Sequence, residues 1–229
     1  TLLLARMCPI ERDCLRMGHK AAHAKWRQNK SGYVTNRINQ RWEIDHTVCD
    51  IELVSKDGGH VIGRPTLTVV MDTHSRMIMS LVVSFSPPST DLVMAAVSQA
   101  YLPKTDILEK LGLHGDYLAS GRCETLVSDN AQEFHSASFK KALETVGCSL
   151  TYTPAGKPWY KGKVERLMRT INHEVIHRLP GTTRGSVADR DDKSSPHRKP
   201  TLTIEDLRRK LWTWVIEEYQ KRHHRGLGS

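Results

Sequence analysis

At 229 residues the chain is long enough for one sizeable domain with appendages, and 38% hydrophobic with 26% charged residues excludes an intrinsically disordered protein. Thirty-four Lys and Arg against 25 Asp and Glu leave a net charge of +9, which favours a polyanionic partner. Five cysteines (Cys8, Cys14, Cys49, Cys123, Cys148) without a CxxC pair indicate neither a disulfide framework nor a structural zinc site, and no apolar run approaches the roughly 18 residues of a membrane span.

Residues 1–40 read as a basic, helical N-terminal linker. Arg6, Arg12, Arg16, Lys20, Lys25, Arg27, Lys30 and Arg37 face only Glu11 and Asp13, and residues 5–30 have helix-forming composition; a merely solvated helix fits as well. From Arg41 the pattern becomes strands at 42–54, 66–71 and 77–85. Turn signals at Lys56-Asp57-Gly58-Gly59 and Asp72-Thr73-His74-Ser75 predict antiparallel succession. A helix opens at Ser89-Thr90, buries Leu92, Val93, Ala96, Val97, Ala100 and Tyr101, and stops at Pro103. Residues 104–121 read as a loop.

A strand then runs into Asp129, followed by a helix at 136–146, Gly147 as its stop, and a strand at 148–152. After a loop at 154–160, residues 161–179 form a helix with a core face of Val164, Leu167, Met168, Ile171 and Val175, ended by Pro180-Gly181. Residues 181–200 read as a mobile loop. The last helix, about 203–224, starts at Thr203 with Asp206 as a partial capping box and buries Ile204, Leu207, Leu211, Trp214 and Val215. Three strands, helix, strand, helix, strand and helices is the order of an α/β RNase H-like fold, a mixed five-stranded sheet flanked by helices, over 41–229.

Three acids stand out in this frame. Asp45 follows Trp42-Glu43-Ile44, Asp129 closes an apolar strand, and Glu165 opens a helix with 35 residues between it and Asp129. An acid ending an apolar strand is costly unless it meets a cation. Two acids at strand ends and one on a helix converge on one cleft edge and suit a pair of Mg²⁺ ions, with Mn²⁺ as a substitute, about 3.5–4 Å apart, for in-line displacement at phosphorus. Asp45 would bridge both ions, with Asp129 completing one site and Glu165 the other. The bland reading makes Glu165 a surface partner of Lys161 and Arg169 at i−4 and i+4. Removing any of the three is expected to abolish catalysis and leave folding nearly intact, since it relieves like-charge repulsion.

Around Glu165, Lys157, Trp159, Tyr160, Lys161, Lys163, Arg166 and Arg169, with His173, are candidate DNA-binding residues through phosphate contact and base stacking; Trp159 and Tyr160 serve equally as core plugs. A competing motif shares the helix: His173-Glu174-Val175-Ile176-His177 matches the HExxH of zinc peptidases, with Glu205 as the one easy third ligand. Asn130, Gln132 and Glu133 shape the turn after Asp129, Glu133 being a spare-ligand candidate. His46 and Asp50 are polar neighbours on the first strand, and Asp72 makes a turn.

Trp42-Glu-Ile-Asp45-His-Thr, Val127-Ser-Asp129-Asn130-Ala-Gln-Glu133-Phe134 and Lys161-Gly-Lys-Val-Glu165-Arg166 resemble the three signature blocks of the DDE transposase and retroviral integrase superfamily. The closing segment, from Pro200 to Leu227, looks most like the TnsB, TniA and Mu-type bacterial transposases. Ala131 departs from the glycine many relatives carry after Asp-Asn, so the turn there is expected not to need positive φ. The resemblance implies a transposase catalytic core that makes metal-dependent 3′-end cuts and strand transfer on transposon-end and target DNA as an oligomer. It also implies an ATPase target-selection partner and a cytoplasmic, nucleoid-associated location. A nuclease of the same fold that cuts without joining, and a DNA-binding scaffold with structural acids, are the alternatives. The start without Met and the missing end-binding domains point to a piece of a longer protein.

Overall fold

The computed structural model describes residues 8–19, 22, 34–154, 160–183 and 199–224. The chain forms two compact units, Thr1–Val34 and Thr35–Ser229. In the first, helix α1 (Pro9–Met17) begins with proline, whose fixed φ suits a first helical turn, and closes at Gly18 with φ 83°.

In the second unit the strands are β1 (Arg41–Val48), β2 (Leu53–Val54), β3 (Val61–Gly63), β4 (Thr66–Asp72), β5 (Ile78–Ser84), β6 (Thr125–Ser128) and β7 (Ser149–Tyr152). The main sheet has the order β5-β4-β1-β6-β7. β4 is antiparallel to β1 and β5, and β6 is parallel to both β1 and β7. This is the mixed five-stranded sheet of the RNase H-like fold. Strand β4 is buried along its whole length, Thr68 included, as its largely apolar stretch Leu67-Thr68-Val69-Val70-Met71 favours.

The expected strand at 42–54 is a correction: β1 ends at Val48, and residues 53–54 pair with β3 in a separate two-stranded ribbon. The chain leaves the sheet at Cys49, whose N–H donates to Pro65 O, and Asp50 is then drawn to Arg64.

Helix α2 (Thr90–Tyr101) is capped by Ser89, whose side chain accepts from the Leu92 N–H, and it buries Val93, Ala96, Val97 and Ala100. Residues 104–121, expected to be a loop, contain α3 (Thr105–Lys110) and a fully buried Lys104 that donates to the carbonyls of Ala119, Leu102 and Ala100 at 2.7, 2.5 and 3.4 Å. A lysine this deep in a connecting segment leaves no periodic signal. α4 (Ala137–Thr145) and α5 (Gly162–Glu174) follow. α5 is shorter than the expected 161–179 because Val175, at φ −111° and ψ −67°, turns the chain into a 3₁₀ segment, Ile176–Arg178.

α6 (Ile204–Trp214) starts with a complete reciprocal box between Thr203 and Asp206, and continues as a π-helical turn, Val215–Tyr219. Gly181, at φ 88°, lies where a Cβ would meet Glu52 O at 2.6 Å, so this stop has a packing role. Most of the loop expected at 181–200, namely 184–198, lies outside the described residues. All five cysteines are free thiols.

Candidate active site

Register places the first two acids. β1 and β6 run parallel with Glu43 opposite Val127, the last registered pair. Two residues further along each chain come Asp45 and Asp129, which fall side by side where the parallel pairing has stopped, toward the carboxyl ends at which open α/β sheets place their sites; Asp129 lies just past β6, but Asp45, expected to end its strand, lies within β1, which runs on to Val48 against β4. The Asp129 carboxylate turns back to accept from the Ala131 N–H at 3.2 Å, and that of Asp45 accepts from the His46 N–H at 3.0 Å. Ala131 has φ −72°, so the turn needs no glycine.

One cation joins the two acids. Lys161 Nζ stands 2.8 Å from Asp45 Oδ1 and 3.3 Å from Asp129 Oδ2, with Lys161 only 4% exposed. The sequence suggested Lys161 as a DNA contact; the fold turns it inward as a counter-ion. Glu165 sits one turn on, its N–H donating to Lys161 O at 3.2 Å. Its side chain is exposed, and its carboxyl is held above the usual range by burial first and by the Asp45 charge second, against the pull of Lys161 and Arg169. All three acids thus share one electrostatic neighbourhood.

The sequence did not single out what fixes Glu165. Glu43, 2% exposed, lies two residues before Asp45 on the same face of β1, and its Oε2 accepts from the Val164 N–H at 3.0 Å. The N-cap residue of α5 makes no side-chain cap bond, so Glu43 caps the helix from the strand. Burial raises its pKa, opposed by the Val164 N–H, Arg41 and Lys163 in that order. Arg41, 3.7 Å from Glu43, also donates to Tyr160 O at 2.6 Å, so β1 grips the chain on both sides of Lys161. The signal was available: a second acid, Glu43, two residues before Asp45 on the same face of β1.

The other candidates scatter. Tyr160 is half-buried with its ring 5.9 Å from the Arg41 guanidinium. Lys163 donates to Thr73 O at 2.9 Å, on the opposite flank of α5 from Glu165. Arg166, Arg169 and His173 form the exposed crest of that helix. Lys157 and Trp159 lie outside the described residues. Glu133, the spare ligand, is engaged by His46 Nε2 at 2.9 Å. Asp50 bonds Arg64, and Asp72 makes its turn by accepting from the Ser75 N–H at 2.7 Å.

The HExxH pattern does not assemble. α5 ends at Glu174, whose carboxylate is held by Arg222 at 2.6 Å and Trp214 Nε1 at 3.1 Å, and the His173 and His177 rings meet edge to face at 5.1 Å. Among the described residues, no three His, Cys, Asp or Glu side chains stand close enough together to hold a metal ion. At Asp45 and Asp129 the ammonium holds the ground between the carboxylates. Their chemistry nevertheless fits a hard divalent cation: carboxylate oxygens already share one positive charge, and a third carboxylate is destabilised by its neighbour.

The family model of the TnsB C-terminal domain matches residues 43–181, a span that includes all three acids. The chain belongs to this family. It is 33% identical over 150 residues to the transposon Tn7 transposition protein TnsB of Escherichia coli, covering 64% of this chain and 21% of that protein. It is 27% identical over 209 residues to the transposase for transposon Tn552 of Staphylococcus aureus, covering 90% of this chain and 40% of that one. The chain therefore spans well under half the length of these relatives. Among solved structures, the HTLV-2 integrase catalytic core in complex with magnesium (TM-score 0.43, 18% identity, 77% of this chain and 86% of that one) is similar. So is the BIV integrase catalytic core (TM-score 0.44, 15% identity, 82% and 88%). No helix among the described residues is long and apolar enough to cross a membrane.

Proposed function

We propose that this member of the TnsB C-terminal domain family is the catalytic core of a transposase, a polynucleotidyl transferase that cuts DNA at the 3′ ends of a transposon and joins them to target DNA. The observation that carries the reading is the pairing of Asp45, within β1, and Asp129, just past β6, around one cation, with Glu165 on a helix capped from β1. Asp45, Asp129 and Glu165 would hold two Mg²⁺ ions, or Mn²⁺ in their place. The bound ions would supply Lewis-acid polarisation of the phosphate and activation of the attacking oxygen.

The chain's own residues do the positioning. Glu43 and Arg41 fix the start of α5, which holds Glu165 near the two strand acids at little entropic cost on substrate arrival. Arg166, Arg169 and His173 on the exposed crest bind backbone phosphates, a contact that orients duplex without reading sequence. The basic balance of the chain supports this use. The transposases it resembles support transposon-end and target DNA as substrates and assembly as an oligomer on DNA. An ATPase target-selection partner and a nucleoid location belong to the same reading.

The test is an assay with divalent metal, a pre-nicked transposon end and a target plasmid. Joined product is the expected result. Cutting alone would make the protein a nuclease, and binding alone would make the acids structural.

A further inference from the structure

On the flank of α5 away from Glu165 lies a cleft of ≈ 650 Å³, roofed by the turn that follows the π-helical segment. Four cationic side chains converge on it, Arg76, Lys163, Arg166 and Arg222, with His223 and His224 at its rim. The lining acid, Glu174, is already clamped by Arg222 at 2.6 Å. Tyr219 forms an aromatic wall, donating its hydroxyl to Arg76 O at 3.1 Å.

Two local departures from regular backbone aim these groups. Arg76 is one of two non-glycine residues with positive φ among those described, at 67°, in the turn between β4 and β5. The Val215–Tyr219 segment is π-helical, which carries one more residue per turn than an α-helix and brings Tyr219 and Arg222 round to the cleft. Strain of this kind persists where the surroundings over-determine it, and it clusters at binding sites. The cations also crowd one another. Burial lowers Arg76, opposed by Glu43 and Tyr219 and reinforced by Arg166; burial and then Arg76 lower Lys163 against the pull of Glu43; burial and then Arg76 and Arg222 lower His224.

We propose that this cleft seats a backbone phosphate of duplex DNA that does not react. The proposal rests on the transposase reading. α5 would then be held on both flanks: the reacting phosphate on the side of Glu165, and a second phosphate on the side of Arg76 and Lys163. The roughly 10–12 Å diameter of a helix with its side chains matches the roughly 12 Å width of a major groove, so phosphates on opposite walls of one groove reach both flanks. Arg169 and His173, on the exposed crest, lie between them.

The experiment compares duplex binding by fluorescence anisotropy across a salt series for the wild type, R76G/K163Q, and K110Q as an exposed-lysine control. Glycine accepts the backbone of position 76, so R76G keeps the turn, and an unchanged unfolding midpoint verifies the fold of the double variant. The expected result is a slope of log K against log salt shallower by about 1 in the double variant, for the one phosphate lost, with little change in K110Q. Equal slopes in the wild type and R76G/K163Q, or an equal loss in K110Q, would overturn the cleft. So would inorganic phosphate, titrated alone, binding the wild type and resisting displacement by duplex, since that marks a small-anion site. Joining measured on the same wild-type preparation judges the function separately. Joining with equal slopes removes the cleft alone, whereas no joining with the slope difference removes the transposase reading and leaves a duplex site.

Discussion

Lys161 Nζ and Asp45 Oδ1 meet at 2.8 Å although 116 residues separate them, and the same ammonium reaches Asp129 Oδ2 at 3.3 Å. A lysine therefore stands where the proposed transferase would need cations. A divalent ion held there as proposed would compete with this ammonium for the same oxygens. Lys161→Ala is expected to lower stability by about 1–3 kcal/mol without divalent metal, because two neighbouring carboxylates lose their shared partner. Added Mn²⁺ should then raise the melting temperature more in the variant than in the wild type. An equal or smaller rise would show that the ammonium and the metal occupy different places.

The same contact corrects an expectation about the acids. Removing like charges suggested that loss of any acid would leave folding intact, but Asp45 is the closest partner of a buried ammonium. Asp45→Ala is expected to cost about 2–4 kcal/mol, and Glu165→Ala, at an exposed position, less than about 0.5 kcal/mol. Both should abolish joining, as should Asp129→Ala. Urea unfolding beside the joining assay checks both parts; a joining-competent variant would remove that acid from the site.

Glu43 is expected to act as a positioning residue through the Val164 N–H. Glu43→Ala should destabilise by about 2–4 kcal/mol, since it uncaps α5 and strips the buried Arg41 of a carboxylate. Hydrogen exchange separates this from general loss of stability: the Val164 amide should lose protection before the core strand β4. Uniform loss across the sheet would make Glu43 an ordinary core partner.

Lys104 predicts a pH dependence. Burial lowers its pKa from 10.5 to about 8, so between those values the unfolded chain binds a proton that the folded chain does not. Stability conferred by this residue therefore rises with pH across about 8 to 10.5, by at most about 1.4 kcal/mol per unit, and the three carbonyl acceptors reduce the slope by favouring the charged form. The stability difference between the wild type and Lys104→Met isolates the effect, because tyrosines and cysteines titrating nearby are common to both. A difference that stays flat from pH 7.5 to 10 would show that the ammonium keeps its proton throughout.

The sequence by itself determined the elements whose signals are local. Ser89 and the Thr203/Asp206 box set helix starts within three residues, Val164, Leu167, Met168 and Ile171 mark a core face by their own spacing, and the alternation of strands and helices specified the sheet class. It also marked Asp45, Asp129 and Glu165, because an acid at the end of an apolar strand, or in a basic helix start, is anomalous against its immediate neighbours. Only the tertiary structure decided what those acids face. Lys161 and Lys163 are two residues apart in one basic run and read alike, yet Lys161, at the N-cap of α5, turns into the carboxylates and Lys163, inside the helix, reaches Thr73 O. Whether Glu43 meets Val164, 121 residues on, depends on strand register and on the packing of α5 against β1. Caps and periodicity are set by neighbours along the chain, whereas the partner of a buried charge is chosen by whichever distant group the closed fold brings within 3 Å.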